Sequence, residues 1–495
     1  MRLKFLGGTE EIGRSCVNLQ SDNFSILIDC GLKRSTETEY PALDEIGPID
    51  GVLLTHAHID HIGGLPLLSS KNLFKENTKI FCTPPTAALL QILIWDSFKL
   101  QHSEWEETGK EPLYEFEDVN DVLDRLYTIP YQKFKPVERV KAEFGYAGHI
   151  LGSAWIRIET EGRSFLFTGD LGEGRSQHLR SATPSPPVDI LVTESTYGAT
   201  NQHPSFSETC RKVAELIDFD EPVLIPTFSV GRSIEILQLL KKHDIDGDRI
   251  WYDGMIGDML PIYRSYASDV YMSSSLTNLI KHSGDPQPFL PDEARKPKSM
   301  WKRRNITRRE ENPVILAPSG MLTGGWSPFY LHEISENRDR AQVILVGHQA
   351  KGTAGHKLIE AKENGENTAT VTVRTFMNPE QDDVDREEPG FYSKTISVPT
   401  DWIYVHRGFS AHSSATHLLE FSRKAAPRKI FITHGNPENS SALKEIISSD
   451  STLRHSEIDI PELKDGFKIK SEIPKSFEDE LGELERRISK LEREN

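Results

Sequence analysis

The first two hundred residues alternate between short apolar runs and glycine-rich turns. Residues 1–6, 16–20, 24–28, 51–55, 154–159 and 164–168 read as strands, several with period-two alternation. Residues 51–55 and 190–193 are continuously apolar, as strands covered on both faces are. Helical patterns fall between them at 84–100 and 119–126. From about residue 201 the pattern changes to helix 207–217, strand 222–226, helix 234–242 and strand 250–253, with later strands at 313–317 and 342–347. Strands alternating with helices predict a parallel α/β unit. After about 366 the β-rich pattern returns at 368–375, 395–398, 402–406 and 429–433. The chain therefore divides into a β-rich layer at 1–200, an α/β insert at 201–365, a resumed layer at 366–470 and a helical tail at 471–495. No internal repeat is evident.

Two segments stand outside this alternation. Residues 286–312 carry prolines and the cations Arg295, Lys296, Lys298, Lys302, Arg303, Arg304, Arg308 and Arg309, and read as a basic surface loop that could meet phosphates. In the tail, Phe477, Leu481, Leu484, Ile488 and Leu491 follow a/d spacing over about two heptads. Such a seam suits a homodimer, a partner helix or docking onto its own domain.

Composition narrows the class. Across 495 residues, 37% are apolar and 27% charged, a globular balance that excludes fibrous and disordered chains. No window approaches the eighteen or so apolar residues of a membrane span, and the N-terminus turns polar too early for a signal peptide, so a cytoplasmic protein is expected. Cys16, Cys30, Cys82 and Cys210 form no CxxC pair and read as buried thiols. The formal charge of -17 argues against coating nucleic acid with the whole surface but leaves room for a local basic cleft.

The chemistry is concentrated where the strand Leu53-Leu54 gives way to HAHIDH, with His56, His58, Asp60 and His61 within six residues. Imidazoles and a carboxylate suit a borderline cation such as zinc, and alternate residues on one turn can serve two neighbouring metals. Asp29, His149 and Asp170 each stand where an apolar strand meets glycine, in Ile28-Asp29-Cys30-Gly31, Gly148-His149 and Gly169-Asp170.

In series these segments resemble the motifs of the metallo-β-lactamase superfamily. The resemblance implies an α/β fold, the αββα sandwich of that superfamily. It implies two Zn2+ ions: His56, His58 and His149 on one, Asp60, His61 and a later histidine on the other, and Asp170 bridging both. Asp29 would orient a ligand histidine without binding metal.

Three further segments resemble motifs A, B and C of the β-CASP nucleases: Glu194 in TESTYG, His412 in GFSAHS and His434 in FITHG. That branch carries an inserted α/β β-CASP domain, which the 201–365 pattern matches, and PTFSVGR at 226–232, PSGMLTGG at 318–325 and GHQAKGT at 347–353 fit it too, with His348 where the family usually has an aromatic residue. The resemblance implies a zinc-dependent ribonuclease, endonucleolytic or 5′-to-3′ exonucleolytic, acting on single-stranded RNA. His412 would be the general acid, held by Glu194, with Asp60 also at the reacting centre. A histidine at motif C favours RNA over DNA, and His434 would complete the second metal. Ser153, Arg232, Ser319, Lys351 and Ser413 are candidate RNA-phosphate contacts. The first strand begins at Met1, so no KH domains are expected ahead of the core. Competing readings are a DNA nuclease, a thioester hydrolase or a non-catalytic scaffold.

Overall fold

The computed structural model describes residues 1–34, 38–217, 220–267, 270–376 and 391–470; the tail seam at 477–495 lies outside the described residues. Two seven-stranded sheets carry the strands predicted at both ends of the chain. In the first, Arg2–Gly7, Cys16–Gln20 and Ser25–Ile28 pair antiparallel, and Ile49–Leu53, Phe74–Cys82 and Leu126–Thr128 continue it in parallel. In the second, Lys141–Tyr146, Ala154–Thr160 and Arg163–Phe167 form an antiparallel meander, extended in parallel by Ile190–Thr193 and Lys429–Ile432. Gly466–Lys468 returns to the edge of the first sheet.

Period-two patterning explains the layering. Ile26 and Ile28 point between the sheets, where they meet Phe144, Ile156, Phe165 and Phe431, whereas Leu27 points outward to Leu65, Leu68 and Leu90. Phe5 of one sheet meets Phe431 of the other at 5.1 Å between ring centroids. On the outer face of the second sheet, Leu166, Leu191 and Ile430 pack under the helices Ala415–Ala425 and Pro437–Ser449. The result is the αββα sandwich. All four cysteines are buried and free.

The helix Pro84–Thr108 starts where its sequence says it should. Proline occupies the first turn, and the preceding Thr83 Oγ1 accepts from the Thr86 amide. That hydroxyl also donates to the Gly152 carbonyl at 2.7 Å, tying the helix to the loop that carries His149.

The insert is built on a five-stranded parallel sheet in the order Ile250–Tyr252, Val314–Ala317, Val223–Pro226, Gln342–Leu345, Ile403–Val405. Its last strand corrects the boundary expected at 365: Ile403–Val405 pairs with Gln342–Leu345, and the hairpin Thr368–Phe376/Phe391–Pro399 packs its apolar face on the insert. The β-pattern after 366 belongs first to the insert, because periodicity does not say which sheet a strand joins. The segments 226–232, 318–325 and 346–353 follow the carboxyl ends of these strands, as does the approach to His412, the end where parallel α/β sheets place ligands.

The basic segment 286–312 is not a continuous loop. Residues Met300–Arg309 form a helix whose cap, Ser299 Oγ, accepts from the Lys302 amide. Much of its charge is spent internally. Arg303 makes a bidentate pair with the fully buried Asp253 at 2.7 and 2.8 Å, Lys302 reaches Glu310, and Arg304 and Arg308 share Glu333. The expected phosphate-facing role therefore does not extend to Lys302, Arg303 and Arg304 as a group. Among the described residues, no helix is long and apolar enough to cross a membrane.

Candidate metal centre

The candidate ligands stand at strand ends or in the turns after them, except Asp60 and His61, which lie in the short helix Ile59–Ile62 that follows. Asp29 follows Ser25–Ile28 with φ 59°, a left-handed backbone that Asp tolerates better than most residues. This turn lets its carboxylate accept from the Thr55 amide at 2.8 Å and the Thr55 hydroxyl at 2.7 Å. Its Oδ2 lies 2.7 Å from His61 Nδ1 and fixes that ring with Nε2 turned inward. Gly31 permits the approach: a Cβ there would stand 1.7 Å from the Asp60 carbonyl. Gly172 does the same between the loops of Asp170 and His149, where a Cβ would meet the Gly148 carbonyl at 2.0 Å.

The side chains converge in two sets. His56 Nε2 lies 3.2 Å from His58 Nδ1, His149 Nε2 lies 3.1 Å from the same atom, and both Nε2 atoms lie 3.5 Å from Asp170 Oδ2. A tetrahedron of ~2.0–2.1 Å bonds to zinc has edges of about 3.3–3.4 Å, so these four atoms already stand at ligand-to-ligand spacing. In the second set, His434 Nε2 is 3.2 Å from Asp60 Oδ2, His61 Nε2 is 3.5 Å from Asp170 Oδ1, and His434 Nδ1 is 3.1 Å from that same oxygen. Asp170 thus contributes one oxygen to each set.

Two observations show that this cluster suits a cation. His61 Nε2 and Asp170 Oδ1 are buried atoms without a hydrogen-bond partner, a costly arrangement unless something else satisfies both. The protonation states also fit. Burial, with repulsion between neighbouring imidazoles, holds His56 and His149 well below the usual histidine range and His58 at about 4, so all three offer neutral lone pairs. His61 behaves oppositely: burial opposes its charge, but Asp170 and Asp29 outweigh it and push the ring well above its usual range. Asp170 is held well below the carboxylate range by His434, His61 and His412, against the cost of its burial.

A third group adjoins the first two. His412 Nδ1 lies 3.0 Å from Glu194 Oε2 and 3.8 Å from Asp170 Oδ2, while Glu194 Oε1 accepts from the Leu171 amide at 2.6 Å. Burial works against a charged imidazole here, but Glu194 and Asp170 prevail and push His412 up to about 9.

The five candidate phosphate contacts separate. Ser153 is fully buried, and its Oγ accepts from the His149 and Ile150 amides at 3.0 and 3.3 Å, so it shapes the His149 turn. Ser413 is also fully buried, donating to the Leu171 carbonyl at 3.0 Å with His417 Nδ1 at 2.8 Å. Arg232 is paired with Glu235 and sits near the Phe409 ring. All three side chains are engaged by short-range packing partners that motif spacing does not reveal. Ser319 is half-buried, with its Oγ accepting from the Thr323 amide at 2.9 Å. Lys351 is exposed and makes no ion pair among the described residues.

Sequence reasoning missed Thr55, which touches Asp29, His56 and His61, although it immediately precedes the histidine run. It also missed Glu173, whose carboxylate accepts from the Ser414 amide at 2.9 Å and hydroxyl at 2.7 Å and so holds the His412 loop. Adjacency to Gly172 was the available signal.

A sandwich with two histidine–carboxylate sets at its strand ends defines a metallo-β-lactamase-fold, metal-binding protein. Comparison with known proteins agrees along the chain. Residues 18–196 match a metallo-beta-lactamase superfamily domain, 233–358 a Beta-Casp domain, and 395–461 a Zn-dependent metallo-hydrolase RNA specificity domain. Transcription termination factor FttA of Methanocaldococcus jannaschii is 33% identical over 455 residues, covering 88% of this chain and 67% of that protein. An RNase J-like protein of the same organism is 30% identical, covering 88% of this chain and 92% of that one. RNase aCSPSF2 of Saccharolobus solfataricus is 29% identical, covering 90% and 82%. A protein of unknown function from Enterococcus faecalis shares the fold, with a TM-score of 0.52 at 11% identity, over 94% of this chain and 99% of that one. The chain belongs to the β-CASP ribonuclease family of the metallo-β-lactamase superfamily.

Proposed function

We propose that the chain is a two-zinc ribonuclease that hydrolyses phosphodiester bonds of single-stranded RNA. The observation carrying this reading is the His56/His58/His149/Asp170 set beside the Asp60/His61/His434 set, with the second Asp170 oxygen 3.5 Å from His61 Nε2 and 3.1 Å from His434 Nδ1, and His412 grouped instead with Glu194 and Asp170. His56, His58 and His149 would hold one zinc, and Asp60, His61 and His434 the other. Nitrogen and carboxylate donors without thiolate fit zinc in a hydrolytic site. When bound, the metals supply Lewis acidity towards water and the phosphate oxygens.

The chain's own residues do the rest. Asp29 and Thr55 fix the rotation of the His61 and His56 rings. Glu194 occupies His412 Nδ1 and leaves Nε2 to carry the proton. As water attacks phosphorus and the bond to the leaving 3′-oxygen breaks, His412 Nε2 gives its proton to that oxygen, and the products are a 5′-phosphate and a 3′-hydroxyl. His412 stands at about 9 beside Glu194 and Asp170, and metal charge, when bound, would lower it towards neutrality, where a general acid works best. The relatives named for RNase activity and the RNA-specificity domain at 395–461 support RNA as substrate.

Metal analysis of the purified chain, run beside hydrolysis of matched RNA, DNA and thioester substrates, tests the reading. About two zinc ions per chain and preferential RNA cleavage are expected. A metal-free active enzyme, or DNA or thioester hydrolysis without RNA cleavage, would contradict it.

A further inference from the structure

One feature of the insert has no part in the metal centre. Trp301, 70% exposed, is the most exposed large apolar side chain among the described residues. At 100° per residue, Trp301, Asn305, Arg308 and Arg309 share the outer face of the helix Met300–Arg309, while Arg303 and Ile306 turn inward to Asp253 and the core. Arg309 and the preceding Lys298 are exposed and make no ion pair among the described residues, and Arg308, 45% exposed, shares the single carboxylate of Glu333 with Arg304. The ring is thus flanked by two cations without an ion pair among the described residues and by one arginine that shares its carboxylate, on a chain of charge -17.

Its placement is informative. Arg303 anchors the first turn to Asp253, immediately after the edge strand Ile250–Tyr252, and the Arg249 Nε bond to the Asn312 carbonyl places the helix's far end beside that strand's start. Trp301 therefore lies at the carboxyl end of the sheet, the end from which the chain also departs for His412. Ile250–Tyr252 and Ile403–Val405 are the two edges of that sheet, so four interstrand steps, about 19 Å, separate Trp301's rim from the one leading to His412.

We propose that this helix face is an accessory platform for single-stranded RNA, on which Trp301 stacks a base and Lys298, Arg308 and Arg309 contact the flanking phosphates. Stacking needs only an exposed ring and tolerates any base, and the cations confer local affinity that the acidic surface does not. The proposal rests on the ribonuclease reading and adds to it a length dependence: only RNA long enough to cross the insert reaches the platform.

The test is steady-state cleavage of RNAs of about six and about 24 nucleotides by the full, zinc-loaded chain, brackets set by known single-strand site sizes. Trp301→Ala should raise KM for the long RNA roughly ten-fold while leaving its kcat and the short RNA's KM unchanged, and Trp301→Phe should restore most of the loss. Arg308→Gln with Arg309→Gln should flatten the salt dependence of the long RNA's KM by about 0.7 in log–log slope per lost contact. Matching melting temperatures show that the variants are folded. A long-RNA KM within two-fold of wild type in Trp301→Ala, or an equal rise for both lengths, would overturn the platform alone. Wild-type protein that cleaves neither RNA would overturn the ribonuclease reading beneath it.

Discussion

At the scale of single residues, position in a network decides what a charged group does. Arg232, Arg303 and Ser413 carried the right chemistry for phosphate binding, yet each is committed to a partner within the fold. Arg303→Ala would leave the fully buried Asp253, among the described residues, with the Tyr330 hydroxyl and the Gly254 amide alone, an imbalance that typically costs about 3–5 kcal/mol. Urea unfolding should show that loss, and a change below about 1 kcal/mol would disprove the assignment. Glu194 offers a sharper test. Replacing it by Gln preserves an acceptor for the Leu171 amide but removes the charge that raises His412. The alkaline limb of the kcat/KM profile should then move to lower pH with metal content unchanged, and an unmoved limb would show that Glu194 does not tune the acid. The candidate ligands were legible in sequence as the HAHIDH run after an apolar strand and as His149, Asp170 and His434 at strand ends beside glycine. Their supports were not: Glu173 and Ser414 meet across 241 positions, a distance no local spacing reports.

At the scale of elements, strands were readable and their allegiance was not. The alternation within Ser25–Ile28 shows which residues point to each side, because side chains on a strand alternate by geometry. The strand Ile403–Val405 reads equally well as part of either domain, and only its pairing with Gln342–Leu345 places it in the insert. The helix Met300–Arg309 was hidden because prolines and cations dominate its surroundings, and much of its inward face is held by ion pairs in place of an apolar stripe. One contact between elements makes a pH prediction. His178, in the loop after Asp170, is fully buried against the insert helix Arg232–Lys242, its Nδ1 2.7 Å from Gln238 Oε1. Burial, reinforced by Arg232, lowers it to about 4 despite that hydrogen bond. A group whose folded pKa is lowered takes up its proton first in the unfolded chain, so stability falls as pH drops from about 6.5 towards 4, by up to about 3 kcal/mol. His178→Gln should flatten that slope in denaturation curves recorded across this range. An equally steep slope in the variant would place the acid sensitivity elsewhere.

At the scale of the whole molecule, the side chains that could hold metal come together from residues 56 to 434. On the proposed reading, metal binding would close contacts that span most of the chain. Ligands that bind only the folded state stabilise by mass action, so chelation should lower the melting temperature by roughly 10 °C relative to the zinc-saturated protein, and an unchanged melt would mean that the sets do not hold metal tightly. The fold class could be read from the order of motifs, as could the clustering of the candidate ligands, because strand ends and glycines leave marks in sequence. Phosphate contacts could not, because a surface cation and a paired one look alike until their neighbours are placed. The central claim is that the metals and His412 have separate duties in RNA hydrolysis, and single-turnover cleavage of single-stranded RNA by zinc-matched wild-type and His412→Ala protein tests it most directly. The account predicts full metal content in the variant with cleavage slowed roughly 10²–10⁴-fold. Cleavage at the wild-type rate, or loss of zinc together with activity, would contradict it.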